Sequence, residues 1–185
     1  MAAHKTDWSE NGELLRALFR LNAGAVLDAL FASEEDDRQT RASVLDHFAG
    51  HRGNPSDAIS CEALVSWCEG DRERRYAFAA SIITFARRAE ETGPQVWSDQ
   101  ARALLTHAPD PERVLALFLE RFQPRSWSGS RAAIIEANAR LLDSLMPDVQ
   151  ALPFVTEAKA RLAQEIARER QWETQQDRAR DERFE

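Results

Sequence analysis

The segment 98–122, SDQARALLTHAPDPERVLALFLERF, constrains this chain more than any other stretch. Behind Ser98, Ala101, Leu104, Leu105 and Ala108 recur at helical spacing. The Ser98 hydroxyl is placed to accept from an orphan amide of the first turn. Pro109 ends that helix. Asp110 stands in the cap position of a second one, and Pro111 takes its first residue, where a missing N–H costs nothing. Val114, Leu117, Phe118 and Phe122 form the apolar face of this second helix. Arg121 interrupts that face, Leu115 and Leu119 widen it, and Glu112, Ala116 and Glu120 lie opposite. Two helices with such stripes cannot bury both alone, so the hairpin requires neighbours.

The same punctuation recurs. Ala63-Leu64-Val65 runs into Asp71-Arg72-Glu73-Arg74, as Ala103-Leu104-Leu105 runs into Asp110-Pro111-Glu112-Arg113. Upstream, the stretch from Asn22 to Leu27 repeats the cap and the Val-Leu pair of the stretch from Asp110 to Leu115. Downstream, Leu141-Leu142 leads into Pro147-Asp148. The cap candidates Asn22, Asp71, Asp110 and Asp148 are 49, 39 and 38 residues apart. Two-helix repeats of roughly 40 residues have the HEAT and armadillo period. Over residues 10–146 the chain therefore resembles a HEAT-like α-helical repeat protein. The resemblance implies an all-α fold, a short right-handed solenoid of antiparallel helical hairpins. It also implies a binding role, as a module or subunit of a larger assembly such as a bacterial defence system.

Read in order, the pattern predicts helices over 10–21, with Leu14, Leu15, Leu18 and Phe19 inward, and over 23–32. A third follows the acidic run Glu34-Glu35-Asp36-Asp37 to about residue 50 through Val44, Leu45 and Phe48. Residues 50–60 read as a loop. Ser60 caps a short helix carrying Cys61, Leu64, Val65, Trp67 and Cys68, and Gly70 ends it as a left-handed stop. Residues 72–90 are apolar nearly all round, through Tyr76, Phe78, Ile82, Ile83 and Phe85, and are expected to form the central helix of the stack. Ser130 caps a helix to Met146. A last helix starts at Pro153, keeps an apolar stripe through Val155, Ala158, Leu162 and Ile166, and then becomes almost wholly charged. The expected organisation is a repeat domain over 1–152 and a charged helix over 153–185, partly docked on the body. That helix is also a candidate for self-association.

The net charge of −7 opposes general nucleic-acid binding, which needs a positive footprint. The two cysteines and the absence of a signal-peptide pattern point to the cytoplasm. The longest apolar run, 76–86, is far short of a membrane span.

No stretch carries a recognisable catalytic motif. The serines near Trp127 lack a Gly-x-Ser-x-Gly elbow, and there is no phosphate-binding glycine loop. His47 and His51 share a helical spacing, and Cys61 and Cys68 are seven apart. Structural zinc sites bring each cysteine pair two to four residues apart, so no metal and no cofactor are expected. Asn138 on an apolar stripe reads as a buried amide bonded to a neighbouring turn.

What remains is a binding surface. Serines and a glycine lead into the helix at Ser130, between Arg125 and Arg131, an arrangement able to hold an anion. Trp127 in the same loop can engage a partner or plug a gap between hairpins. With Arg72, Arg75 and Trp172, these arginines and tryptophans are of the types enriched in binding hot spots. The expectation is a non-enzymatic protein-binding scaffold or adaptor, its partner another protein or a multidomain assembly. The alternative is a nucleic-acid-associated protein using the arginines as a local patch.

Overall fold

A computed structural model describes residues 8–31, 45, 53–88, 93–123 and 128–181. The chain is mostly helical and divides into two compact units. The first comprises residues 1–86 and 98–117, and the second 87–97 and 118–185.

In the first unit, α1 (Trp8–Phe31) is interrupted at Asn22, whose φ and ψ of −157° and 79° are not helical. The Asn22 side chain accepts from the amide of Ala25 at 3.1 Å and so caps the second half, as its sequence position predicts. Phe19, Ala23, Leu27 and Phe31 are buried. Leu14 and Leu18, expected inward, are instead exposed. The helix α2 (Cys61–Cys68) is capped by Ser60, which accepts from Ala63 at 3.1 Å. No left-handed stop follows at Gly70: among the described residues only Gly53 and Gly129 have positive φ. The chain passes instead through a 3₁₀ turn, Glu69–Asp71. A Cβ on Gly70 would lie 2.8 Å from the Arg75 guanidinium, so the glycine makes room for that side chain.

The expected central helix over 72–90 is much shorter. It is α3 (Arg75–Ile82), and at Ile83 the backbone turns extended. Two causes combine. The β-branched run Ile82-Ile83-Thr84 is a poor helix former. The Ile82 carbonyl is also taken by side chains of a distant loop, receiving Asn54 Nδ2 at 2.9 Å and Ser56 Oγ at 3.0 Å. Asn54 Oδ1 in turn accepts from the Ser56 amide at 2.9 Å. Gln100 Nε2, buried on α4 (Asp99–His107), donates to the carbonyls of Ser56 and Ile59 at 2.8 and 2.7 Å. The loop, which includes a 3₁₀ turn (Pro55–Ala58), is thereby a polar core element rather than a surface connection. The caps predicted for the hairpin are present: Ser98 accepts from Ala101 at 3.1 Å, and Asp110 from Arg113 at 3.0 Å. The unit boundary falls within α5 (Pro111–Glu120), after Leu117.

The second unit holds a feature the sequence did not signal. Residues β1 (Ala86–Arg88) and β2 (Gln95–Trp97) pair as a two-stranded ribbon, Ala86 alone counting with the first unit. Trp97 is buried against Phe118 and Phe122, at ring separations of 5.7 and 6.2 Å, and its indole N–H donates to the Leu141 carbonyl at 2.8 Å. Ser130 caps α6 (Arg131–Ala139) through Ala133 at 3.0 Å. The helix expected to reach Met146 ends at Ala139 in a 3₁₀ turn, Arg140–Ser144. Asp148 is not a cap, because α7 (Pro147–Gln150) starts behind Met146 with no side-chain cap. Asn138 is buried and donates to the Phe122 carbonyl at 2.7 Å, as expected of it. The long α8 (Pro153–Asp181) packs along α6, and Val155, Ala158 and Leu162 in its first turns are buried. No described helix is long and apolar enough to cross a membrane.

Replacing Asn54 with Ala should lower the unfolding free energy by about 2–3 kcal/mol, because it orphans the buried Ser56 amide and leaves the Ile82 carbonyl with Ser56 Oγ alone. Urea denaturation with an unchanged m-value checks this.

Candidate functional site

The arginines and tryptophans predicted to form a binding surface meet different fates. Arg125 and Trp127 lie outside the described residues. Arg75 is not a surface group. Its guanidinium donates to the Trp67 carbonyl at 2.9 Å and to Asp28 at 3.0 Å, and lies 4.5 Å from the Trp67 ring centroid. Trp67 also donates its indole N–H to Asp28 at 2.8 Å, and packs edge-on against Phe31 at 5.5 Å. Arg75 thus ties α1, α2 and α3 together around an aromatic cluster.

Arg131 is likewise consumed within its unit. It pairs with Glu169, lies 3.9 Å from Glu165, and donates to Gln123 at 3.0 Å. The anion expected at the start of α6 is supplied by the chain itself. The Glu173 carboxylate of α8 accepts from the Ser130 hydroxyl at 2.9 Å and from the Ala132 amide at 3.1 Å. Those bonds, the one from the Ala132 amide foremost, hold the Glu173 carboxyl below its ordinary value. One turn further along α6, Glu136 is also held low, chiefly by its hydrogen bond from Arg140 and then by the charge of Arg170.

Two predicted residues remain exposed. Arg72 is at the surface, loosely held by Glu69 at 3.4 Å and by the His107 carbonyl at 3.3 Å. Trp172 on α8 is 54% exposed. The sequence reading missed a third surface. Leu14, Leu18 and Leu21 are 60%, 42% and 83% exposed and follow one another at spacings of four and three along α1. The signal was available: the run from Leu14 to Leu21 carries more large apolar residues than one buried stripe can hold.

A cleft of about 340 Å³ opens between α3 and the start of α5. Arg72, Glu73, Tyr76 and Ala77 form one wall, and Pro109, Asp110, Arg113 and Val114 the other.

His47 and His51 lie outside the described residues. Cys61 is half-buried, and Cys68 is fully buried with its thiol pushed up to about 12, mainly by desolvation. A thiol so disfavoured as thiolate is a poor nucleophile and a poor metal ligand. Among the described residues no group of three or more His, Cys, Asp or Glu side chains could hold a metal ion. Compared with protein-family models, curated proteins and solved structures, the chain matches none.

Two outcomes follow. Arg75→Ala should destabilise the fold by about 1–2 kcal/mol, from a lost part-buried hydrogen bond and ring stacking, whereas Arg72→Ala should stay within about 0.5 kcal/mol. Parallel thermal melts distinguish them. Glu173 has a depressed folded pKa, so its contribution is present above the ordinary carboxyl value of 4.5 and is lost as pH falls through the folded value. A Glu173→Gln variant should melt lower than the native chain at neutral pH, with the gap closing in acid.

Proposed function

We propose that this chain is a non-enzymatic protein-binding module, a scaffold or adaptor whose hairpins follow a HEAT-like period. The observation that carries the reading is the exposed leucine stripe of α1. Isolated surface leucines are ordinary, but three in register on one helix face form a contiguous apolar patch, and such patches mark interaction surfaces. A stripe of this width suits an amphipathic helix or an apolar ridge on a partner. The repeat reading draws support from two of the four spaced caps: Asn22 and Asp110 each accept from an amide three residues on, at 3.1 and 3.0 Å. Asp71 accepts from Arg74 at 3.2 Å within the turn before α3, which starts at Arg75 with no side-chain cap.

The nucleic-acid alternative loses support from the same geometry. Arg75 and Arg131 are engaged internally by carboxylates, so only Arg72 of the described patch offers an exposed guanidinium. A protein partner recognised by apolar contact needs no such patch.

The experiment is co-purification of the native chain and of a Leu14→Ser, Leu18→Ser, Leu21→Ser variant from the same cells, with both melting temperatures measured. The expected result is a stoichiometric protein partner that the variant loses, at a stability within about 1 kcal/mol of the native chain. A partner retained by the variant overturns the assignment. So does a collapse in stability, which would place the leucines in a core.

A further inference from the structure

We propose that the cleft between α3 and α5 binds a free apolar amino acid in its zwitterionic form. The floor is carbon. Val114 is buried, and Ala77 and Pro109 add only aliphatic surface. Tyr76 is buried too, and its hydroxyl is already committed to Glu69 at 2.6 Å, so the tyrosine offers the cleft its ring rather than a free polar group. A volume of about 340 Å³ sits at the small end of ligand sites, which fits one amino acid and excludes a nucleotide or a folded partner.

The rim supplies two opposite charges that do not cancel each other. Arg113 Nη1 reaches the backbone carbonyl of Glu73 at 3.3 Å, which places the two residues side by side. Yet among the described residues neither the Arg113 guanidinium nor the Glu73 carboxylate is in an ion pair. Asp110 adds a second carboxylate, partly engaged as the α5 cap, and Arg72 a second guanidinium, partly engaged by Glu69. An inorganic anion or a phosphate backbone would meet Glu73 and Asp110 as repulsion. A ligand with a carboxylate, an ammonium and an apolar body meets every wall with its complement. Its carboxylate takes the Arg113 fork, its ammonium takes Glu73, and its side chain lies on Tyr76, Ala77 and Val114. The proposal does not depend on the α1 stripe.

The test is titration of the ¹⁵N-labelled full chain with L-phenylalanine and L-leucine up to about 10 mM, reading the amide signals of Tyr76, Ala77, Arg113 and Val114. Saturating shifts confined to that cluster are expected. N-acetyl-L-phenylalanine lacks the ammonium and L-phenylalaninamide lacks the carboxylate; each should bind roughly tenfold more weakly or worse. Arg113→Gln and Glu73→Gln should each weaken L-phenylalanine by a similar factor, the latter keeping the Glu73 backbone carbonyl that Arg113 uses. The triple leucine variant should bind as the native chain does, which separates this site from the partner surface. Four results overturn the proposal: no shift at the cluster, equal binding of the parent and both analogues, binding by either charge variant as tight as the native chain's, or tighter binding of the acetylated analogue. The last would assign the cleft to a peptide carboxyl terminus.

Discussion

The first unit depends on a buried amide. Asn54 donates to the last carbonyl of α3 and accepts from the loop that carries it, while Gln100 from α4 holds the same loop by two carbonyls. Arg16 of α1 adds a bond to the Gly53 carbonyl at 3.0 Å, beside the asparagine. Three helices therefore converge on eight residues of irregular backbone. In a low-dielectric interior such a network is costly when incomplete and specifying when complete. Here the bonds close on one another, and they set where α3 stops. The extended residues that lead into the ribbon follow from that stop.

Arginine plays the corresponding part at the edges of both units. Arg75 spans an aromatic cluster and a carboxylate, and Arg131 spans α6 and α8. Each combines a planar fork with a hydrocarbon stem, so each can stack, pair and cover apolar surface at once. In an acidic chain these are the charges most easily captured internally. Their capture is why arginine content alone overstated the binding surface.

What the sequence disclosed was local. Ser60, Ser98, Asp110, Ser130 and Asn22 cap as expected, because a cap needs only a side chain and an amide three residues on. Asn138 and the start of α8 at Pro153 were legible for similar reasons. What stayed hidden was set at a distance. The end of α3 is fixed by a residue 28 positions earlier, and the anion at the start of α6 comes from 43 positions later. Gly70 shows the same limit: a left-handed stop was the local expectation, whereas in the fold a Cβ there would meet the guanidinium of Arg75, five residues on. For the sites, the arginines were overread and the leucines of α1 underread, since a helical wheel does not say which of two apolar faces finds a neighbour.

The helix α8 is attached in two chemically different ways. Its first three turns are rooted by Val155, Ala158 and Leu162, which salt does not weaken. Its later turns are held by Glu169, Arg170 and Glu173, whose partners lie at or near the surface. Exposed charges are screened over about 8 Å at physiological ionic strength, and more strongly as ions accumulate. A helix of 29 residues runs about 43 Å end to end. Ionic strength therefore acts on this rod as a selective solvent. The more exposed Arg170–Glu136 pair weakens first, the part-buried Arg131–Glu169 pair much less, and the apolar root stays seated.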